Sequence, residues 1–214
     1  LNVMKKITLI IASALLCAST YTNAQDDSRE KIHFGAKAGL NISSIHDTKG
    51  EDYNAEAIAG FVGGGFVAIP IGKYLGVQPE LLFAQKGYSA TNYLEGGSVS
   101  YTRRTDHLEI PLLLQIKPLS FISLVVGPQF SYMTFREESF RSSNLTLIQK
   151  EEIENDNIRR NTLGAVTGID FYILRRLIIS GRIGWDLQDN NGDGTASFPR
   201  YRNVWLQSTV GLRF

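Results

Sequence analysis

Hydrophobic and polar residues alternate along most of the chain after residue 30. In residues 31–43 every even-numbered position is apolar, whereas the odd-numbered positions are polar or glycine. Residues 205–214 alternate in nearly the same way and end on the aromatic residue Phe214. A period of two is that of a β-strand whose two faces meet different surroundings. The pattern therefore predicts an all-β fold in which the final strand is paired.

Eight segments carry this alternation or a close variant of it. They predict strands at residues 31–43, 57–69, 75–88, 103–117, 121–135, 161–173, 177–187 and 205–214. The second strand has no firm assignment of faces, because the run Gly63-Gly64-Gly65 interrupts its pattern. Glycine within a strand permits sharp bends and close approach of the neighbouring backbone, which a small closed barrel needs.

The connections between the predicted strands alternate in length. Those after the first, third, fifth and seventh strands have a dozen residues or more, and the others have only a few. Bacterial outer-membrane barrels combine long external loops with short periplasmic turns in this way. We therefore predict an eight-stranded antiparallel up-and-down transmembrane β-barrel in the outer membrane, with both termini in the periplasm.

Aromatic residues support the same prediction, because they collect near both ends of the strands. Such belts are expected at the two interfaces of a membrane barrel. One end has Tyr74, Phe121, Phe171, Tyr172 and Phe214, and the other has Tyr88, Tyr132, Phe135, Trp185, Tyr201 and Trp205.

The first 24 residues have the three parts of an export signal. Lys5 and Lys6 form the basic start, residues 7–18 are apolar, and Ala24 ends a short run of small residues suited to cleavage. The apolar part is too short to span a bilayer as a helix. We therefore predict a signal peptide at residues 1–24, a short periplasmic lead-in at 25–30 and the outer-membrane β-barrel at 31–214.

Composition narrows the classes of function. Hydrophobic residues make up 43% of the chain and charged residues 20%, which excludes a disordered chain. A mean hydropathy of −0.09 is too polar for a bundle of transmembrane helices but suits a barrel, in which half of each strand faces inward. The net charge of +1 gives no sign of nucleic-acid binding. The single cysteine, Cys17, lies in the predicted signal, where Leu16 before it disfavours lipidation, so no disulfide or thiol chemistry is expected.

The polar face of the strands predicts the contents of the barrel. At eight strands the interior is just wide enough for side chains to fill. Charges of both signs occur on the inward face, so we predict a lumen filled by paired charges and no open pore. We expect Glu80 to form a buried pair with Arg182 or Lys86. The predicted inward residues are Lys37, Gln78, Glu80, Lys86, Glu109, Gln115, Asp170, Arg182, Asp186 and Arg213.

Several stretches resemble the PorT-like outer-membrane β-barrel family. They are residues 34–41 (Phe-Gly-Ala-Lys-Ala-Gly-Leu-Asn), 60–64 (Gly-Phe-Val-Gly-Gly), 77–87 (Val-Gln-Pro-Glu-Leu-Leu-Phe-Ala-Gln-Lys-Gly) and 108–113 (Leu-Glu-Ile-Pro-Leu-Leu). The likeness extends over about residues 31–214 and implies an eight-stranded barrel in a Gram-negative outer membrane. The family's namesake is linked to a secretion system, but the resemblance implies no single activity.

One loop has the start of a calcium-binding motif. Residues 189–194 (Asp-Asn-Asn-Gly-Asp-Gly) place oxygen-bearing side chains at the first, third and fifth positions and glycine at the sixth. The glutamate expected at the twelfth position is Arg200, and no helices flank the loop. We therefore predict a turn-rich surface loop, with a weak calcium site as the alternative.

The three histidines are the only imidazoles available for catalysis. His107 shares a strand face with Glu109, and neither it nor His33 or His46 forms a convincing nucleophile–base pair with a serine. We expect lumenal or loop histidines, and we assign no catalytic, cofactor-binding or metal-binding residue.

The highly charged residues 136–160 are the best candidate for an interaction surface. Loops on rigid scaffolds often carry function, and the mostly apolar residues 145–148 (Leu-Thr-Leu-Ile) could extend the flanking strands beyond the membrane. The alternative is a solvated loop beside the lipopolysaccharide, whose phosphates would meet its basic residues. The final strand ending in Phe214 resembles the signal read by the outer-membrane assembly machinery.

These features lead to a first hypothesis of function. We predict an outer-membrane barrel that is not an enzyme and that is structural or binds a partner through its external loops. The alternatives are a barrel enzyme acting on lipid or peptide, an accessory component of a secretion system, and a narrow channel.

Overall fold

The structure is a computed structural model that describes residues 28–47, 55–94, 97–142, 145–151, 160–173, 176–189 and 201–214. Nine strands make up almost all of these residues. A short 3-10 helix at Ser28–Glu30 precedes them. The strands are β1 (His33–Asp47), β2 (Ala55–Pro70), β3 (Leu75–Leu94), β4 (Gly97–Leu119), β5 (Ile122–Ser142), β6 (Leu145–Glu151), β7 (Asn161–Tyr172), β8 (Leu177–Asp186) and β9 (Tyr201–Arg213). The predicted signal peptide and residues 25–27 of the predicted lead-in lie outside the described residues.

Eight of these strands close into an antiparallel barrel, as predicted. Their order is β4-β3-β2-β1-β9-β8-β7-β5, and β4 pairs with β5 to complete the ring. The first and last strands pair from Gly35↔Arg213 to Asp47↔Tyr201. Phe214 then donates its N–H to the carbonyl oxygen of Phe34 at 2.7 Å. Closure satisfies the backbone groups that an open sheet would leave at its edges.

The barrel is apolar outside and polar inside. On β4, Leu112 and Leu114 are 51% and 41% exposed, whereas Glu109 and Gln115 are fully buried. This reversal is expected of a barrel that faces lipid. Within the described part of the chain, no helix is long and apolar enough to cross a membrane.

The two ends of the barrel differ. The chain enters near Ser28 and finishes at Phe214 at one end, which also holds the connections β2–β3, β4–β5 and β7–β8. We call it the terminal end and the opposite one the extended end.

At the extended end the strands are longer than the sequence pattern predicted. The stretch 89–102 was expected to be a loop, but β3 and β4 stay paired through it as far as Leu94↔Gly97. Residues 136–142 and 145–151 also pair, forming the hairpin β5–β6, so the expected extension around residues 145–148 is confirmed. Residues 88–94, 97–105, 135–142 and 145–151 thus form a four-stranded sheet above the barrel, which we call the sheet extension.

Strand β2, whose faces the sequence left open, turns Val62, Phe66 and Ala68 inward. Its glycine run permits close packing against β3. A Cβ at Gly64 would lie 2.0 Å from the carbonyl oxygen of Leu81, so no other residue fits there without a shift of the backbone.

Candidate functional site: the filled lumen and the sheet extension

Polar and charged side chains fill the barrel interior. All ten residues predicted to point inward are at most 8% exposed. They alternate along the strands with the lipid-facing apolar residues, because successive side chains of a strand point to opposite faces. The prediction of their direction is confirmed.

A cluster of four charges centres on Glu80. Lys37 Nζ lies 2.6 Å from Glu80 Oε2, and Arg182 Nη1 lies 2.9 Å from Glu80 Oε1. Arg182 also pairs with Asp170 at 2.8 Å, and Gln78 donates a hydrogen bond to Glu80 at 2.6 Å. Two cations and two anions therefore join β1, β3, β7 and β8 across the lumen. The expected pair of Glu80 with Arg182 is confirmed.

A second cluster involves Lys86. Its Nζ lies 2.7 Å from Glu109 Oε1 and 3.4 Å from the centre of the Trp205 ring. A cation over an indole ring is the strongest form of cation–π contact. The alternative prediction, a pair of Glu80 with Lys86, is therefore wrong, because Lys86 pairs with Glu109. Gln207 donates a hydrogen bond to the Glu109 carboxylate at 3.4 Å.

Trp205 lies inside the barrel, and its predicted place in an outer aromatic belt is wrong. Only 1% of the residue is exposed, and it packs in one core cluster with Leu113, Val125 and Val166. Gly184 on β8 makes room for it, because a Cβ there would lie 2.4 Å from the indole. The same correction applies to Tyr88 and Tyr201, which are also buried.

His107 is buried in the lumen, which is one of the two environments, lumen or loop, that we predicted for the histidines. Its Nε2 lies 2.9 Å from the hydroxyl oxygen of Thr105, and the residue is 3% exposed. His46 is exposed at the extended end, and Nδ1 of His33 lies 3.3 Å from the carbonyl oxygen of Phe214 at the terminal end. The three imidazoles are therefore far apart along the barrel.

Arg103 occupies the mouth of the lumen at the extended end. Its guanidinium carbon lies 5.7, 5.5 and 6.0 Å from the ring centres of Tyr88, Tyr101 and Tyr201. Nη1 donates a hydrogen bond to the Tyr201 hydroxyl at 3.0 Å, and Nη2 lies 2.8 Å from Glu138 Oε1. These contacts connect the sheet extension with β9 across the mouth, which the sequence did not predict.

Two acidic groups in this cluster have shifted pKa values. Burial raises the pKa of the Tyr101 hydroxyl well above its usual range. Burial also raises the pKa of Glu138, but the charge of Arg103 and a hydrogen bond from Arg136 outweigh it and lower the pKa overall. The Arg103–Glu138 pair is therefore fully ionised at neutral pH.

Only the first residue of the candidate calcium loop is described. Asp189 accepts a hydrogen bond from Arg202 Nε at 2.7 Å, which engages the first of the predicted oxygen ligands. Residues 190–194 lie outside the described part of the chain. Among the described residues, no group of three or more His, Cys, Asp or Glu side chains is arranged to hold a metal ion.

Three solved structures are similar to this one at low sequence identity. Neisserial surface protein A is 11% identical, with 85% of this chain and 97% of that one covered and a TM-score of 0.50. Ail of Yersinia pestis, in complex with the heparin analogue sucrose octasulfate, is 12% identical, with coverages of 86% and 99% and a TM-score of 0.47. OprG from Pseudomonas aeruginosa is 14% identical, with coverages of 86% and 97% and a TM-score of 0.44.

Comparison of the sequence with known protein families identifies the same kind of protein. No match was found among curated proteins. A family described as outer membrane protein beta-barrel domain matches residues 23–191, well over half of the chain. With the closed barrel and its apolar outer surface, this match establishes the family: the chain belongs to the outer membrane proteins with a β-barrel domain.

Proposed function

We propose that this protein presents the sheet extension to a protein partner outside the cell and is neither an enzyme nor an open channel. The observation that carries the proposal is the length of β4. Among the residues of this strand whose side chains the structure describes, the exposed apolar ones end at Leu108, yet the strand continues to Gly97. Those additional residues span roughly 35 Å of strand at the usual rise per residue. A barrel that served only to cross the membrane would not need this sheet.

The edge of the sheet extension supports a binding role. Strand β6 is last in the sheet order and, among the described residues, pairs only with β5. An edge strand presents backbone N–H and C=O groups to which an extended segment of a partner can add. Arg103 and Glu138 fix the base of this sheet, so the edge is held in a defined position.

The orientation is part of the proposal. Three short connections and both ends of the described chain share the terminal end. Outer-membrane barrels keep their short turns in the periplasm, which supports periplasmic termini and an external sheet extension. If the partner were a secretion component, the role suggested by the PorT-like family would be one instance of this function.

The position of His107 in the lumen supports the proposal that the protein is not an enzyme. His107, whose Nε2 lies 2.9 Å from the Thr105 hydroxyl oxygen, is buried inside the barrel with Thr105. A lipid-modifying nucleophile would need to face the membrane, and this pair faces the lumen.

Site-specific photocrosslinking in intact cells tests the proposed function. A photoreactive amino acid replaces Ser139 in the sheet extension or, as the control, the lipid-facing Ile110. We expect a discrete protein adduct from position 139 only, and its loss when residues 143–152 are deleted. Lipid adducts alone at both positions would refute partner binding by this sheet.

The filled lumen predicts that the barrel does not conduct ions. The clusters around Glu80, Lys86 and Arg103 block three levels of the interior. We therefore expect no steady conductance when the purified barrel is inserted in planar bilayers. Long-lived open levels at neutral pH would show that these side chains leave the lumen and would favour the channel alternative.

A further inference from the structure

Few backbone pairs attach the sheet extension to its neighbours in the barrel. On one side, residues 55–57 of β2 pair with residues 88–90 of β3. On the other side, the pairing of β5 with β7 ends at Tyr132↔Asn161, and above this level β5 pairs with β6 instead. Among the described residues, the sheet extension is therefore joined to the barrel mainly through the continuous strands β3, β4 and β5.

Two bulges interrupt the strand pairing at the base of this sheet. The register of β2 and β3 shifts between Ala57 and Val62, and that of β4 and β5 shifts between Asp106 and His107. Between the two bulges β3 and β4 stay in register, and Gln85 is paired with Asp106 at this level. A bulge bends a strand and increases its local twist. The base of the sheet extension therefore has interrupted pairing on both sides of an unbroken pair of strands, which is the arrangement expected of a hinge.

Side chains replace the backbone pairing at the bulge between β2 and β3. Ser43 Oγ donates a hydrogen bond to the carbonyl oxygen of Gly87 at 3.0 Å and accepts one from the Gly87 N–H at 2.8 Å. Asn41 donates a hydrogen bond to the carbonyl oxygen of Gln85 at 2.7 Å, and the side-chain oxygen of Gln85 accepts one from the N–H of Phe61 at 3.2 Å. Because a hydroxyl hydrogen rotates to suit its partner, the bonds of Ser43 tolerate a change in the angle between the strands.

A polar contact ties the sheet extension to the far side of the barrel. In the ring of eight strands, β9 lies four places from β4 in either direction, so the two strands are opposite each other. Arg103 on β4 donates a hydrogen bond to the hydroxyl of Tyr201 on β9 at 3.0 Å. The ring of Tyr88 on β3 packs edge-on against the same tyrosine, with 5.5 Å between ring centres. These side chains therefore bridge the mouth from one wall to the other.

We propose that the sheet extension is a hinged lid over the mouth of the lumen, with the two bulges as its hinge and the Arg103–Tyr201 contact as its latch. When the latch opens, the lid tilts away from β9, separates Tyr88 from Tyr201 and carries the edge strand β6 with it. The lumen stays filled, because the cluster around Glu80 lies below the hinge. The motion involves this chain alone, and it stands independently of the partner proposed for the sheet extension.

Distances between pairs of spin labels, measured by pulsed electron paramagnetic resonance on the folded full chain, test the inference. In a Cys17→Ser background, His46→Cys places one label on the barrel wall and Ser139→Cys places the other on the lid. The control pair, His46→Cys with Ile110→Cys, has both labels on the barrel. We expect Tyr201→Phe, which removes the hydroxyl of the latch, to shift the first pair to longer distances and to leave the control pair unchanged.

A second tyrosine offers a matched control. Arg103 also donates a hydrogen bond to the Tyr101 hydroxyl, at 2.8 Å, but this bond lies within the lid, so Tyr101→Phe should leave the distances unchanged. Arg103→Lys keeps the charge but loses the planar fork that reaches both Glu138 and Tyr201, and it should shift the distances as Tyr201→Phe does. Heat-modifiable migration on a gel verifies the folding of each variant. Unchanged distances in both latch variants would overturn the proposal, and so would an equal shift in Tyr101→Phe or in the control pair.

Discussion

Side chains inside the barrel pack closely against one another, and glycine residues leave the space that some of them need. Trp205 fills the lumen next to Lys86 because Gly184 has no side chain. From the sequence, the alternation placed Trp205 on the polar face of the last strand, but its aromatic character suggested an outer belt. The pattern gives the direction of a side chain, and it does not show which glycine on a neighbouring strand leaves space for it.

The glycine at this position can be tested against a close control. In Gly184→Ala the new Cβ would lie 2.4 Å from the indole, so we expect a loss of about 1–3 kcal/mol in the free energy of unfolding, as for other overpacked cores. Gly181→Ala, on the same strand but facing outward, meets nothing within 4 Å and should be neutral. Urea unfolding in lipid vesicles, followed by tryptophan fluorescence, measures both. Equal effects would contradict the packing argument.

The pair of Lys86 and Glu109 allows a prediction about buried charge. Lys86→Met leaves the fully buried Glu109 carboxylate without its cation, which should cost about 3–5 kcal/mol. The double variant Lys86→Met and Glu109→Gln removes both charges and should recover much of that loss. With the single variant Glu109→Gln included, the same unfolding experiment gives the coupling free energy between the two sites. Additive losses would show that the two side chains do not stabilise each other.

At the scale of elements, the barrel was predictable and the sheet extension was not. Inside the membrane one strand face is apolar, so strands such as 75–88 were recognised by their alternation. Above the belt apolar and polar residues of β3 and β4 no longer alternate in the sequence, and the period of two disappears although Ser89↔Thr102 remain paired. The polar composition of residues 89–102 therefore suggested a loop. Only the mostly apolar residues 145–148 indicated the additional strand.

The base of the sheet extension should respond to acid. The folded-state pKa of Glu138 lies below its ordinary value of 4.5, so the Arg103–Glu138 pair stabilises the fold fully above that value. This contribution is lost as the pH falls through the lowered pKa. We expect the protection factors of the backbone amides in residues 135–142, which are corrected for the pH dependence of intrinsic exchange, to fall in that acidic range and to change little between pH 6 and 8. Glu138→Gln should exchange faster at neutral pH and lose the acid response. An acid response that persists in this variant would assign it to another group.

At the scale of the whole molecule, closure depends on the strand that ends the sequence. The alternation in residues 205–214 predicted that this strand is paired, and the structure pairs it with both β1 and β8. Phe214 continues this pairing, since it exchanges two backbone hydrogen bonds with Phe34 and is 68% exposed on the outer surface. The first and last strands are therefore joined at the terminal end by the backbones of Phe34 and Phe214.

Deletion of Phe214 should accordingly impair insertion more than shortening of the sheet extension does. Without it, β1 loses two backbone partners in a region where lipid supplies none, and the outer surface loses an aromatic anchor. Deletion of residues 143–152 removes β6, which lies outside the closed ring. The heat-modifiable fraction recovered from membranes compares the two variants, and Phe214→Tyr, which keeps both the backbone bonds and the aromatic ring, should behave as the unchanged protein. An equal defect in both deletions would mean that insertion responds to the sheet extension as strongly as to closure of the ring.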